Sequence, residues 1–398
     1  MQISEAYSPF AVFVPSAGAE ARPRVLIAPA RYVQGEGALH GMGRYLQVVG
    51  ADRAGILISA GGEKRVGRRL VETLARADVA AEVRIFGGEC SLAEIEAAST
   101  DLREAGIDCL VAVGGGKCVD TGKAVAFRLG VPVVIVPTLA SNDAPCSALS
   151  VIYSPEGVST GAEFYPDSPA LVVVDTRIVA DAPERYLVAG LGDAMATYYE
   201  AAVCSRNSEA MTCVGARPTL AASAIGLTCR DTLFEKGEAA AAAVAASRVD
   251  SSLEDVVEAN TLLSGLGFES GGVAAAHGYA QSFTVLPDTD AGFLHGEMVA
   301  MGTLAQLMLE DREDEARKVG SFFTRVGLPV QLSQIAVDPA DSAAIGTVVE
   351  AALQFPFLGN MPGPTHGEAL ERALLEADRL GRALADEMGD AAYRRLHA

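Results

Sequence analysis

At 398 residues, half of them hydrophobic, the chain is too long for one ordinary core and rich enough in apolar side chains to build two. Its formal charge of -20, from 51 acidic against 31 basic residues, repels phosphate backbones and anionic lipid, which argues against nucleic acid or a membrane as partner. Tryptophan is absent and aromatics are few, so the interior must be aliphatic, as suits packed helices and parallel strands.

Taken in chain order, residues 1–180 alternate short β-branched runs with helical spacing. Ala54–Ser59 reads as a strand, Gly67–Arg76 as a helix, Ala81–Phe86 as a strand and Leu92–Ala105 as a helix. Cys109–Val113 is an apolar strand leading into Gly114-Gly115-Gly116-Lys117; Asp120–Leu129 is helical, and Val133–Val136 and Leu171–Val174 are strands. This alternation predicts a Rossmann-like parallel sheet with helices on both faces. Beyond Asp181 the character changes. Pro183 suits a first helical position, and helical periodicity runs through Asp193–Cys204, Pro218–Leu233, Ser252–Gly265, Gly272–Phe283, Glu297–Leu309 and His366–Met388. The alanine-rich Glu238–Ser247 reads as an exposed helix. The expected division is an α/β domain over 1–182 and an all-helical domain over 183–398, with a small-molecule cleft between them.

The seven cysteines form no Cys-x-x-Cys pair and several lie in apolar runs, which points to reduced, buried thiols. The N-terminus shows no basic segment followed by an apolar core, and the most apolar strand-like run, Val131–Val136, is far too short to span a bilayer. A cytoplasmic protein is expected.

Gly114-Gly115-Gly116 stands at the end of a strand and the start of a helix, where backbone amides and the helix field favour an anion. Two readings remain open: a phosphate cradle assisted by Lys117, or a tight strand-to-helix turn with no ligand. It is neither a G-x-G-x-x-G nor a Walker loop. The polar run Pro137–Ser147 after the next strand reaches the same sheet edge, where parallel sheets bind ligands, and favours the first reading.

Of five histidines, His40 in a glycine-rich loop and His397 near the terminus read as solvated, and His366 as a helix-start residue. His277 and His295 lie in helical segments among Gly and Ala, which allows close helix packing, and Asp193 is an acid in an apolar helix start. Asp193 could be an N-cap and each histidine a bonded core residue. Alternatively, two imidazoles and a carboxylate from separate elements would leave one position open on a catalytic zinc. Spacing alone does not choose between these.

The stretches GGGKCVDTGKA, PTLASNDAPCSALSVIY, GLGDAMATYYEA, EANTLLSGLGFESGGVAAAHG and HGEMVAMGTL resemble the glycerol dehydrogenases of the iron-containing alcohol dehydrogenase superfamily, whose architecture is that of dehydroquinate synthase. The resemblance runs from about residue 20 into the C-terminal helices. It implies NAD in the cleft, one Zn2+ per subunit, a homo-oligomer and a small polyol substrate, glycerol first, oxidised to dihydroxyacetone. It further implies that Asp193, His277 and His295 ligate zinc, and that Gly115, Gly116, Lys117 and Asp120 lie along the cofactor pyrophosphate. By the same resemblance Thr138, Ser141, Ser147, Leu149 and Tyr153 line the adenosine and nicotinamide positions. Asp143 would bond substrate hydroxyls, with His277 also near the substrate.

Two departures stand out. Ser59-Ala60-Gly61-Gly62-Glu63-Lys64 lacks the family's ribose-binding Asp, which leaves discrimination against NADP open, with NAD the expectation. Thr197 stands where iron-dependent relatives carry a histidine, which favours zinc. Other readings are a dehydrogenase for 1,2-propanediol or a polyol phosphate, a cyclising lyase on the same architecture, and a catalytically silent NAD-binding protein. The lack of Arg or Lys around His277 and His295 speaks against a phosphorylated substrate.

Overall fold

The β-branched runs become strands because their alternate side chains can be buried on two opposite faces at once. In β4 (Cys109–Gly114), Cys109, Val111 and Val113 enter one apolar cluster, while Leu110 and Ala112 enter the other. In β5 (Val133–Pro137), Val134 and Val136 join the first cluster, and Val133 and Ile135 the second. The structure, a computed structural model, describes residues 7–15, 21–154 and 157–398.

Six strands pair in parallel in the order β1-β8-β5-β4-β2-β3, where β1 is Tyr32–Gly35, β2 Arg53–Ile58, β3 Ala80–Ile85 and β8 Leu171–Asp175. Helices α1 (Arg68–Ala75), α2 (Leu92–Glu104) and α3 (Gly116–Leu129) connect strands of this sheet. From β2 the chain moves outward to β3, then returns across β2 to β4 and on to β5. The direction reverses between β2 and β4, so the crevice beyond their carboxyl ends is the topological switch point, the place where such sheets take ligands. The α/β expectation holds. The expected strands are present, and β1 together with the antiparallel hairpin β6 (Leu149–Tyr153) and β7 (Ser159–Phe164) adds to them.

After β8 the described chain is helical: α4 (Glu184–Arg206), α5 (Leu220–Ala245), α6 (Ser251–Glu258), a π-helical turn over Ala259–Leu263, α7 (Ser264–Gly271), α8 (Ala275–Phe283), α9 (His295–Leu309), α10 (Glu313–Val326), α11 (Gly367–Met388) and α12 (Ala391–Leu396). The apolar cluster on one face of the sheet continues without a break into these helices.

Two expectations are corrected. Glu238–Ser247 is not an exposed helix: residues 238–245 are the last third of α5, and Ala240, Ala241, Ala243 and Val244 are buried. Gly237, which looks like a break, is interior because a Cβ there would stand 2.7 Å from the Phe322 ring. Asp193 is not at a helix start but in the third turn of α4, which removes the N-cap reading. All seven cysteines are free and buried. Among the described residues, no helix is long and apolar enough to cross a membrane.

Candidate active site and metal centre

Three helices meet closely enough to bring distant side chains together because glycines stand at the crossings. A Cβ at Gly296 of α9 would lie 1.9 Å from the Ala189 carbonyl oxygen of α4, and one at Gly302 would lie 2.2 Å from the Ala276 carbonyl oxygen of α8. Backbone cannot yield as a side-chain tip can, so any larger residue would push the helices apart.

At that meeting point Asp193, His277 and His295 each offer one ligand atom, all within 4.8 Å of one another. Asp193 Oδ1 is 3.4 Å from His295 Nε2 and 3.7 Å from His277 Nε2. Ligand atoms about 2.0–2.1 Å from a tetrahedral ion stand about 3.3 Å apart, so the observed spacing fits one cation. Asp193 Oδ1 is buried and has no hydrogen-bond partner, an arrangement costly for a carboxylate unless a cation completes it. Two nitrogens and one oxygen are a donor set suited to zinc or iron.

The two imidazoles differ in support. His277 is stacked against Phe268 at 6.1 Å, and its Nδ1 is 2.5 Å from Glu200 Oε2. Burial alone would lower the His277 pKa, but the charges of Glu200 and Asp193 outweigh it and hold it well above the ordinary value. His295 is the first residue of α9 with its side chain 46% exposed; partial desolvation and the charge of His277 lower its pKa against the pull of Asp193. Glu297 holds that end of α9: it accepts from the Leu294 amide at 2.7 Å and pairs with Arg185 at 2.7 Å. His397 is therefore not solvated, as its terminal position suggested. Its Nε2 is 2.9 Å from Glu297 Oε1 and its ring stacks on Tyr393 of α12. His40 is exposed, and His366 caps α11.

Asp143 sits beside this centre. Its backbone amide donates to Asp193 Oδ2 at 3.1 Å, and burial together with the Asp193 charge raises its carboxyl well above the usual range. The loop carrying it is held from beneath by Lys123, a buried ammonium that donates to the Ala144 carbonyl at 2.9 Å and to Ser147 Oγ at 3.0 Å. Glu269, also buried, accepts from the Ala148 amide at 3.0 Å.

At the switch point, Gly114–Gly116 turn from β4 into α3 beside Ser59, whose amide donates to the Val113 carbonyl at 3.0 Å. Gly115 and Gly116 are half-buried, and Asn142 reaches across to Gly116. Lys117 pairs with Glu89 at 2.5 Å and lies 4.6 Å from the centre of the Tyr153 ring. Thr138 is buried at the end of β5, with its amide on the Gly114 carbonyl, and Ser141 is half-buried on the adjoining loop. Asp120 and Ser147 point into the protein. Asp120 takes the Val151 amide at 3.0 Å and the Lys123 ammonium at 2.8 Å, while Ser147 meets Lys123. Leu149 is buried against Cys213 and Val273. Thr197, one helical turn after Asp193, has its hydroxyl 3.0 Å from Ser264 Oγ.

Sequence reasoning missed Glu200, Lys123, Glu269 and the Arg185–Glu297 pair. Glu200 carried a signal: it follows Asp193 by seven residues, two turns along one helix face. The others depend on long-range packing.

Comparison with known proteins places the chain. The family model for iron-containing alcohol dehydrogenase matches residues 29–176. A glycerol dehydrogenase of Thermotoga maritima is 46% identical over 89% of this chain and 97% of its own length, and a glycolaldehyde reductase of Halobacterium salinarum is 38% identical over 91% and 99%. The crystal structure of glycerol dehydrogenase from Schizosaccharomyces pombe superposes with a TM-score of 0.88 at 31% identity, covering 93% of this chain and 94% of that one. The chain belongs to the glycerol dehydrogenase branch of the iron-containing alcohol dehydrogenases, oxidoreductases that depend on a metal and NAD.

Proposed function

We propose that this chain oxidises glycerol at its secondary hydroxyl to dihydroxyacetone, with NAD+ as acceptor and one Zn2+ per subunit held by Asp193, His277 and His295. The observation that carries the reading is the unpartnered, buried Asp193 Oδ1 facing two imidazole nitrogens at 3.4 and 3.7 Å, beside the carboxyl of Asp143. When bound, the metal acidifies a coordinated hydroxyl as a Lewis acid and the nicotinamide accepts the hydride. Thr197, engaged with Ser264 where a fourth protein ligand would stand, favours zinc over iron.

The chain's own residues bind and orient. Asp143, fixed through its amide to Asp193, bonds the neighbouring hydroxyl of a vicinal diol. A simple alcohol would leave that half-buried carboxyl unpaired, at a cost of up to about 1–3 kcal/mol, so diols are selected. His277 presents Nε2 beside the same substrate position. The amides of Gly115 and Gly116, at the start of α3, receive the cofactor pyrophosphate with Lys117 at its side. Thr138, Ser141, Leu149 and Tyr153 wall the adenosine and nicotinamide positions. Asp120 and Ser147 support them from behind through Lys123. On this reading residues 1–182 form the dinucleotide domain and 183–398 the metal domain of a cytoplasmic homo-oligomer.

Absorbance of the reduced cofactor tests the proposal, using glycerol, 1,2-propanediol and ethanol with NAD+ or NADP+, and glycolaldehyde with NADH. The expected result is highest kcat/KM for glycerol with NAD+, lost on chelation and restored by Zn2+. Turnover that survives complete metal removal, or a preference for ethanol, would refute it.

A further inference from the structure

Resting on the metal centre proposed above, we infer that Glu200 is its positioning residue: the buried carboxylate clamps the Asp193 helix to the first turn of α8 and turns the His277 imidazole so that Nε2 faces Asp193. Glu200 is fully buried on α4, two turns beyond Asp193. A buried carboxylate must be satisfied, and this one is satisfied by a single segment. Oε1 accepts from the Ala274 amide at 2.7 Å and the His277 amide at 3.0 Å, and Oε2 takes the His277 Nδ1–H at 2.5 Å. The two amides are free donors at the N-terminus of α8, where a carboxylate is electrostatically favoured. With both Glu200 oxygens accepting from this segment, Nδ1 is the hydrogen-bonded nitrogen and the lone pair available to a metal is left on Nε2. That atom stands 3.7 Å from Asp193 Oδ1.

One helix thus supplies a ligand and, seven residues later, the group that aims a second ligand. His295 has no such support: among the described residues its Nδ1 has no hydrogen-bond partner. The orientation of the centre therefore depends on the Glu200 side. Glu200→Gln keeps the shape, but an amide cannot accept all three N–H groups, since one end now donates. Loss of such a partner weakens metal binding about 10- to 100-fold.

The test is titration of metal-free protein with Zn2+ against a competing chelator, with circular dichroism as a check on folding, for wild type, Glu200→Gln and Asp193→Asn. The expected result is a 10- to 100-fold higher Kd for Glu200→Gln and no specific binding for Asp193→Asn. If Asp193→Asn binds Zn2+ like wild type, the metal centre itself is wrong. If Asp193→Asn fails to bind while Glu200→Gln binds like wild type, the metal centre stands and the role of Glu200 is wrong. Should Glu200→Gln not fold, 15N-histidine NMR of the zinc-loaded wild type decides. One exchange-protected imidazole N–H, assigned to His277 Nδ1, is expected; an unprotonated Nδ1 on His277 would overturn the inference.

Discussion

The sheet edge and the metal centre are built from different materials. At the edge, the proposed ligand-facing surface is backbone: the Gly114–Gly116 turn, the start of α3 and small residues after β5, with Asp120 and Ser147 turned inward. At the proposed metal centre, the surface is side chain: one carboxylate and two imidazoles from three helices, with one imidazole, His277, held by the buried carboxylate of Glu200. A backbone site tolerates loss of an individual side chain and is sensitive to added bulk. A side-chain site tolerates neither, because each ligand is unique.

That difference sets the size of the expected effects. The largest belongs to the metal centre. His277→Ala removes a ligand and leaves Glu200 buried without its imidazole partner, so kcat should fall at least about 1000-fold, with metal lost from the purified protein. A metal-replete, fully active variant would show that the triad is structural only. At the edge, Gly116→Ala should raise the KM for NAD+ about 10-fold, near 1.4 kcal/mol, with kcat and metal content unchanged. The added Cβ meets only the Asn142 side chain at 2.6 Å, which can move. Equal loss of kcat and metal in this variant would erase the distinction between the two regions.

A third effect, on stability and not on turnover, lies where the regions join. Burial raises Glu269, which holds the Ala148 amide, to about 7. Its folded pKa exceeds its unfolded value, so between about pH 4.5 and 7 the folded protein binds the extra proton and its stability falls as pH rises through that window. Chemical denaturation at pH 5 and pH 8 should show Glu269→Gln gaining on wild type by up to about 3 kcal/mol at the higher pH. An unchanged difference would mean that the folded and unfolded carboxyl do not differ in protonation between pH 5 and pH 8.

The same contrast explains what could be read in advance. Strands β2, β4, β5 and β8 are legible because both faces are buried and the sequence is a continuous apolar run. β1, β6 and β7 are not, being partly exposed. The glycine turn is a local signal and was readable as such. The convergence of Asp193, His277 and His295 is not local: residue types suggested it, but their meeting depends on Gly296 and Gly302 at helix crossings. The inward turn of Asp120 and Ser147 depends on Lys123, whose i,i+3 spacing from Asp120 is local but whose reach to Ser147 is set by packing. His397 was misjudged because proximity to the terminus says nothing about a partner 100 residues away.

Anomalous diffraction from crystals of the active protein, recorded at the zinc and iron absorption edges, tests the central claim most directly. The account predicts one zinc peak per chain, about 2.0–2.2 Å from Asp193 Oδ1, His277 Nε2 and His295 Nε2. Fully active crystals with no ion touching those three atoms would contradict it.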